Sequence, residues 1–251
     1  MIATEKSDKV NNYGTLFHSW NVVPYMSRWL MKNTHNSRRR QDALSRERIV
    51  QVAIELLDEV GEAGLTFQVM SKRLATGPGA IYWHVENKYD LMAAACDAVV
   101  EDTMRRHDVG NSPRDRIRSI SIGVFDLFDA HPWVGSALSQ SAGKMPIVRL
   151  LEPIGQQVQA LGVPERSQWV TVSALLSFIS GVGSQNAANA RFAKENDLDR
   201  ASYLSDVADA WSELDPSLFP FTRGFADQLR VHDDRNDFLA GIDLILAGAK
   251  A

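Results

Sequence analysis

Leu65 to Lys88 read LTFQVMSKRLATGPGAIYWHVENK, and the spacing within this stretch decides the fold. Thr66 has the short oxygen-bearing side chain of an N-cap, and Val69, Met70 and Leu74 follow at helical apolar spacing. Ala75-Thr76-Gly77 interrupts that pattern. Pro78 suits the first position of a second helix, where its missing N–H would have no partner anyway, and Gly77 is an N-cap without a side-chain oxygen. In the second helix Ile81 and Val85 are four apart and face inward. That leaves Gly79, Ala80 and Trp83 outward, with Tyr82 and His84 on the flanks. Two short helices with a tight turn between them make a helix-turn-helix, whose second helix enters the major groove of DNA.

The same residues carry a resemblance. Leu65, Thr66, Arg73, Leu74, Gly79, Tyr82, Trp83, His84, Val85, Asn87, Lys88 and Leu91 fit the pattern L-T-x-x-x-L-A-x-x-L-G-V-S-x-G-x-L-Y-x-H-[FV]-x-[NS]-K-x-x-L in its Y-W-H-V version. The stretch resembles the DNA-binding module of TetR-family transcriptional regulators, over Leu44 to Val100. It departs from that pattern at Ala75-Thr76-Gly77, which stands for Gly-Val-Ser, so the turn lacks its apolar anchor and serine cap. Met70-Ser71 stands for Leu-Ala.

The resemblance implies an all-α chain, with an N-terminal three-helix helix-turn-helix DNA-binding domain and a C-terminal helical ligand-binding and dimerisation domain. The expected divisions are residues 1–43, a poorly ordered extension; 44–92, the DNA-binding domain; and 93–251, the ligand-binding and dimerisation domain. It implies a cytoplasmic homodimer on a pseudo-palindromic double-stranded DNA operator, released by a small apolar or aromatic effector. The candidate DNA contacts are Thr66, Gln68, Pro78, Gly79, Ala80, Tyr82, Trp83, His84 and Lys88. Tyr82 offers a hydroxyl to phosphate, and His84 donates to phosphate or a base edge. Ala80 can set its methyl against a thymine methyl, and Gln68 can make the paired contact to adenine. Thr66 reaches phosphate through its hydroxyl or backbone N–H. Lys88, at the start of the next helix, adds its charge to the helix dipole. Trp83 is open between packing and backbone contact.

Composition is consistent with this without announcing it. The net charge of −4 and pI near 5.9 are not those of a general nucleic-acid binder. The charge is unevenly placed, however. Residues 1–50 hold nine of the 27 Lys/Arg and four of the 31 Asp/Glu, leaving 18 against 27 for the remainder. Arg38-Arg39-Arg40 either lies along phosphate or a narrow minor groove, or is a solvated run. The single cysteine, Cys96, excludes an internal disulfide and a cysteine metal cluster. No run reaches the ~18 apolar residues of a membrane-spanning helix.

The rest reads as helix throughout. Ser45–Val60 carries Ile49, Ala53, Leu56, Leu57 and Val60 on one stripe, ended by Gly61. Asn87 caps a helix to about His107. Further helices are expected at Arg114–Ala130, Trp133–Ser141, Pro146–Leu161, Pro164 or Glu165 to Lys194, Asp199–Glu213, one ending near Arg230, and Arg235–Lys250. Trp169, Val172, Leu176 and Ile179 with small residues between them, and Phe238, Ile242, Ile245, Leu246 and Ala249, suggest a helix pair that serves a subunit interface, the protomer core, or both. Candidate effector-cavity residues are Phe128, His131, Trp133, Trp169, Phe178, Gln185 and Asn186. His107-Asp108 and His232-Asp233-Asp234 have the residue types of a metal or acid–base site, but they fall at helix ends, where capping accounts for them. No catalytic residue, metal site or cofactor is assigned. The alternative class is an enzyme or small-molecule binding protein that uses the C-terminal cavity, with a vestigial DNA module.

Overall fold

The computed structural model describes residues 44–141 and 143–249. The expected extension 1–43, with Arg38-Arg39-Arg40, lies outside them. Within them every regular element is a helix, which agrees with the all-α expectation. The elements are α1 (Arg46–Gly64), α2 (Phe67–Arg73), α3 (Pro78–Tyr82), α4 (Lys88–His107), α5 (Pro113–Ala130), α6 (Val134–Ser139), α7 (Met145–Ala160), α8 (Glu165–Glu195), α9 (Arg200–Ser212), α10 (Pro220–Gly224), α11 (Ala226–Arg230) and α12 (Asp234–Gly248).

Caps start the helices where the short polar residues stand. Side-chain oxygens of Ser45, Thr66, Asn87, Ser112 and Asp199 each accept a backbone N–H three residues on, which satisfies a donor that the first turn leaves unpaired. Gly61 takes φ +67 and breaks α1 as expected. Val60 does not join the buried stripe: it is 53 % exposed, because its side of the last turn opens onto a surface hollow shared with Val69 rather than onto the core. The single helix expected to end near Arg230 is two short ones, α10 and α11. They break at Phe225, whose N–H is shared between the Phe221 and Thr222 carbonyls.

The turn after α2 closes in a Schellman motif. The Thr76 N–H donates to the Ser71 carbonyl at 3.0 Å and the Ala75 N–H to Lys72 at 3.3 Å. This geometry puts the donor of the inner bond in the left-handed region, and Ala75 sits there at φ +51. Gly162, at φ +77, fills the same role after α7 without a Cβ. The TetR-type pattern has glycine where this chain has Ala75. Exposed Ala75 loses no packing on replacement, so Ala75→Gly is expected to raise stability by roughly 0.5–1 kcal/mol, the left-handed penalty less the added unfolded-state freedom. Thermal denaturation checks this; a lower Tm would overturn it.

The core is built around α5, which packs on α4, α7, α8 and α12. Ile117, Ile120, Val124, Leu127 and Phe128 are buried along it, as the spacing predicts. Burial of each such side chain is worth about 1.5–3 kcal/mol. Phe128 lies against Gly183 of α8 so closely that a Cβ there would stand 2.6 Å from its ring. Phe238 of α12 packs between Phe125 of α5 (ring centroids 4.8 Å) and Phe178 of α8 (5.7 Å). α4 buries Leu91, Ala95, Cys96, Val99 and Val100 and packs on α1 as well as on α5 and α7. It runs through the boundary expected at residues 92/93.

The two candidate interface lines divide. Val172, Ile179, Phe238, Ile242 and Leu246 are buried within the protomer. The outward face of α8 instead shows Val170, Ala174, Ser177 and Gly181, and that of α12 shows Ala240, Leu244 and Ala247. Leu244 is 75 % exposed.

Candidate nucleic-acid interface

α3 has five residues, and its buried side is small. Ile81 and Val85 are buried with Leu65 and Met70, and with Ile49, Ala53 and Leu57 of α1. Burying Ile81 and Val85 commits the opposite side of α3 to solvent. Pro78 and Gly79 are exposed and Ala80 is half-buried. No atom lies within 4 Å of the position a Gly79 Cβ would take, so another backbone can approach closely there. Tyr82 is 54 % exposed and Trp83 89 %.

Tyr82 is held from below. Its ring stacks on Phe67 at 4.5 Å, which fixes the plane and leaves the hydroxyl outward. Phe67 is a positioning residue that sequence reading passed over, since an aromatic at the start of a helix carries no pattern of its own. His84 is half-buried and makes no side-chain hydrogen bond among the described residues. Thr66 caps α2, its hydroxyl accepting from Val69 N–H at 3.2 Å, and Gln68 beside it is exposed. The Lys88 ammonium donates to the Glu62 carbonyl at the end of α1. It ties α4 to α1 in the free protein and would have to exchange that bond for a phosphate. Exposed Tyr89 and Arg48 border the same helix starts and were also passed over, because single polar residues on amphipathic helices read as solvated surface.

The candidate effector residues come together only in part. Phe178, Gln185 and Asn186 line a cavity of about 320 Å³ between α8 and α12. Phe128 is core against Gly183. Trp169 is 70 % exposed. His131 and Trp133 sit elsewhere: the His131 Nδ1 and Trp133 Nε1 are each 2.7 Å from Asp58 Oδ1. They hold α1 against the α5–α6 junction. Asp58 is 73 and 75 residues from its partners, a pairing no local pattern announces.

His232 is bracketed by Asp234 (2.9 Å) and Asp237 (2.7 Å). No group of three or more His, Cys, Asp or Glu among the described residues has metal-holding geometry. Cys96 is buried, and desolvation, with a smaller push from Asp97, raises its thiol pKa to about 12. No helix among the described residues is long and apolar enough to cross a membrane.

No family model matches the chain. Among solved structures it is similar to the transcriptional regulator SCO7222 of Streptomyces coelicolor, at 48% identity over 82% of this chain and 98% of that one, TM-score 0.74. It shares its fold with ActR of Streptomyces coelicolor in complex with actinorhodin (19% identity, 82% and 96% of the two chains, TM-score 0.66). Among curated proteins it is 26% identical over 212 residues to the class D tetracycline repressor of Escherichia coli, spanning 82% of this chain and 88% of that protein.

Proposed function

The chain belongs to the TetR family of transcriptional regulators, and on that footing we propose that it is a homodimeric repressor whose α3 reads a DNA operator and whose C-terminal helices bind a small apolar or aromatic effector. The observation that carries the reading is the two-sided α3, with Ile81 buried and Gly79, Tyr82 and Trp83 exposed. Tyr82, His84, Thr66, Gln68, Pro78, Gly79, Ala80, Trp83 and Lys88 are the proposed contacts. Residues 44–92 form the DNA-binding part and 93–251 the effector and dimer part, with α4 as the lever, since it packs on α1 and on the C-terminal core.

The outward small-residue faces of α8 and α12 support dimerisation. Ala174, Ser177 and Gly181 allow helix axes to approach, and Leu244 needs cover. A two-fold dimer presents two copies of α3, so the operator is pseudo-palindromic, its half-sites about 34–36 Å apart. The effector must bind the DNA-free arrangement more tightly than the DNA-bound one, or it shifts nothing. Asp58, gripped by His131 and Trp133, is a second link through which movement of the α5–α6 junction reaches α1.

The operator is found by selection from genomic DNA on the purified protein. On that operator the logarithm of affinity is expected to fall linearly with the logarithm of salt, with a slope of roughly −0.9 for each phosphate neutralised. A flat response, or no DNA retained, would remove the DNA-binding assignment.

A further inference from the structure

The cavity walls carry information about the class of effector, given the effector reading above. Two lobes of about 320 and 400 Å³ meet along α8, and Asn186, Asn189, His232 and Asp234 stand in the walls of both. Each lobe carries two aromatic side chains: Phe178 and Phe238 in the smaller, and Phe192 and Tyr203, among aliphatic residues, in the larger. The amides of Asn186 and Asn189 have no hydrogen-bond partner among the described residues, so they are available to a ligand.

The ionised groups are not balanced. Asp129, Asp234 and Asp237 line the lobes against one guanidinium, Arg200. Arg200 is already engaged, with Asp234 at 2.6 Å and the His232 carbonyl at 3.2 Å. His232 lies between Asp234 and Asp237. Asp129, an exposed residue in the wall of the larger lobe, has no hydrogen bond or ion pair among the described residues. The charge left for a ligand to meet is therefore negative. An acid entering here would face Asp129 with no uncommitted cation beside it. A cation would meet that carboxylate and the aromatic rings of Phe192 and Tyr203, and a carboxylate and a ring's face both attract it.

We infer that the cavity takes an aromatic organic cation, with its ring between the aromatic walls and its charge toward Asp129. The test uses the full chain and two dyes on one xanthene skeleton, the cation rhodamine 123 and the anion fluorescein, followed by fluorescence anisotropy. Rhodamine 123 binds at least about tenfold more tightly than fluorescein. Asp129→Asn, at an exposed and unpaired position, leaves the fold intact and weakens rhodamine 123 by at least about fivefold while leaving fluorescein unchanged or stronger. Equal or tighter fluorescein binding, no binding of either dye, or cation affinity indifferent to Asp129→Asn overturns the inference. An operator-retention arm separates it from the reading beneath it. If rhodamine 123 binds with the stated preference yet leaves operator affinity unchanged, the cation selectivity stands and the effector role falls. If an anionic aromatic releases the operator and rhodamine 123 does not bind, the effector role stands and the cation selectivity falls.

Discussion

A variant carrying Tyr82→Phe and His84→Ala keeps its fold and binds its operator roughly a hundredfold or more weakly, since each hydrogen bond to a charged group such as phosphate is worth about 1.5–3 kcal/mol. The choice of substitutions follows from the packing. Phenylalanine at 82 preserves the stack on Phe67 and removes only the outward hydroxyl. His84 makes no side-chain hydrogen bond among the described residues, so its loss leaves no protein group unpaired. Stability is accordingly expected to change by less than about 1 kcal/mol. Anisotropy titration on the selected operator, with the circular dichroism spectrum as control, reads both quantities. Unchanged DNA affinity would show that these two side chains are not contacts, whatever else in the module binds.

The largest stability effect is expected at Phe238. Phe238→Ala empties a fully buried ring site between Phe125 and Phe178, where α5, α8 and α12 meet. The cost is about 3–5 kcal/mol, because the three helices are fixed by other contacts and cannot collapse into the space. For a domain of this size that lowers Tm by roughly 6–20 °C. Loss of less than about 1 kcal/mol would mean that this aromatic stack does not hold the three helices together. The same change removes a wall of the smaller cavity lobe, so dye binding is measured on the folded fraction only.

The helix-turn-helix was legible because its signals are local. A cap oxygen, a proline at a first helical turn and two apolar residues four apart all act within one or two turns of the chain, and the structure keeps each at its expected place. Where local reading went astray, the missing information was a neighbour. Val60 continues the apolar stripe of α1 in spacing, but in the fold it opens onto a surface hollow beside Val69 instead of the core. Val172 and Ile179 share a line with Trp169 on paper. In the fold the first two are core and Trp169 is solvent-facing.

Three tryptophans make the division plain. Trp83 is 89 % exposed, Trp169 70 % and Trp133 5 %, and nothing in residue type separates them. Sequence alone determined the all-helical architecture, the caps and the outward side of α3, since backbone hydrogen bonding and the helical period are settled within a few residues. Only the tertiary structure decided that Asp58 takes both His131 and Trp133, that the apolar lines of α8 and α12 serve the protomer core while their small-residue faces look outward, and that Asp129, Asp234 and Asp237 line adjoining lobes. Those outcomes depend on contacts between residues far apart in the chain, and a helical period shows that a face is apolar without showing what it will meet.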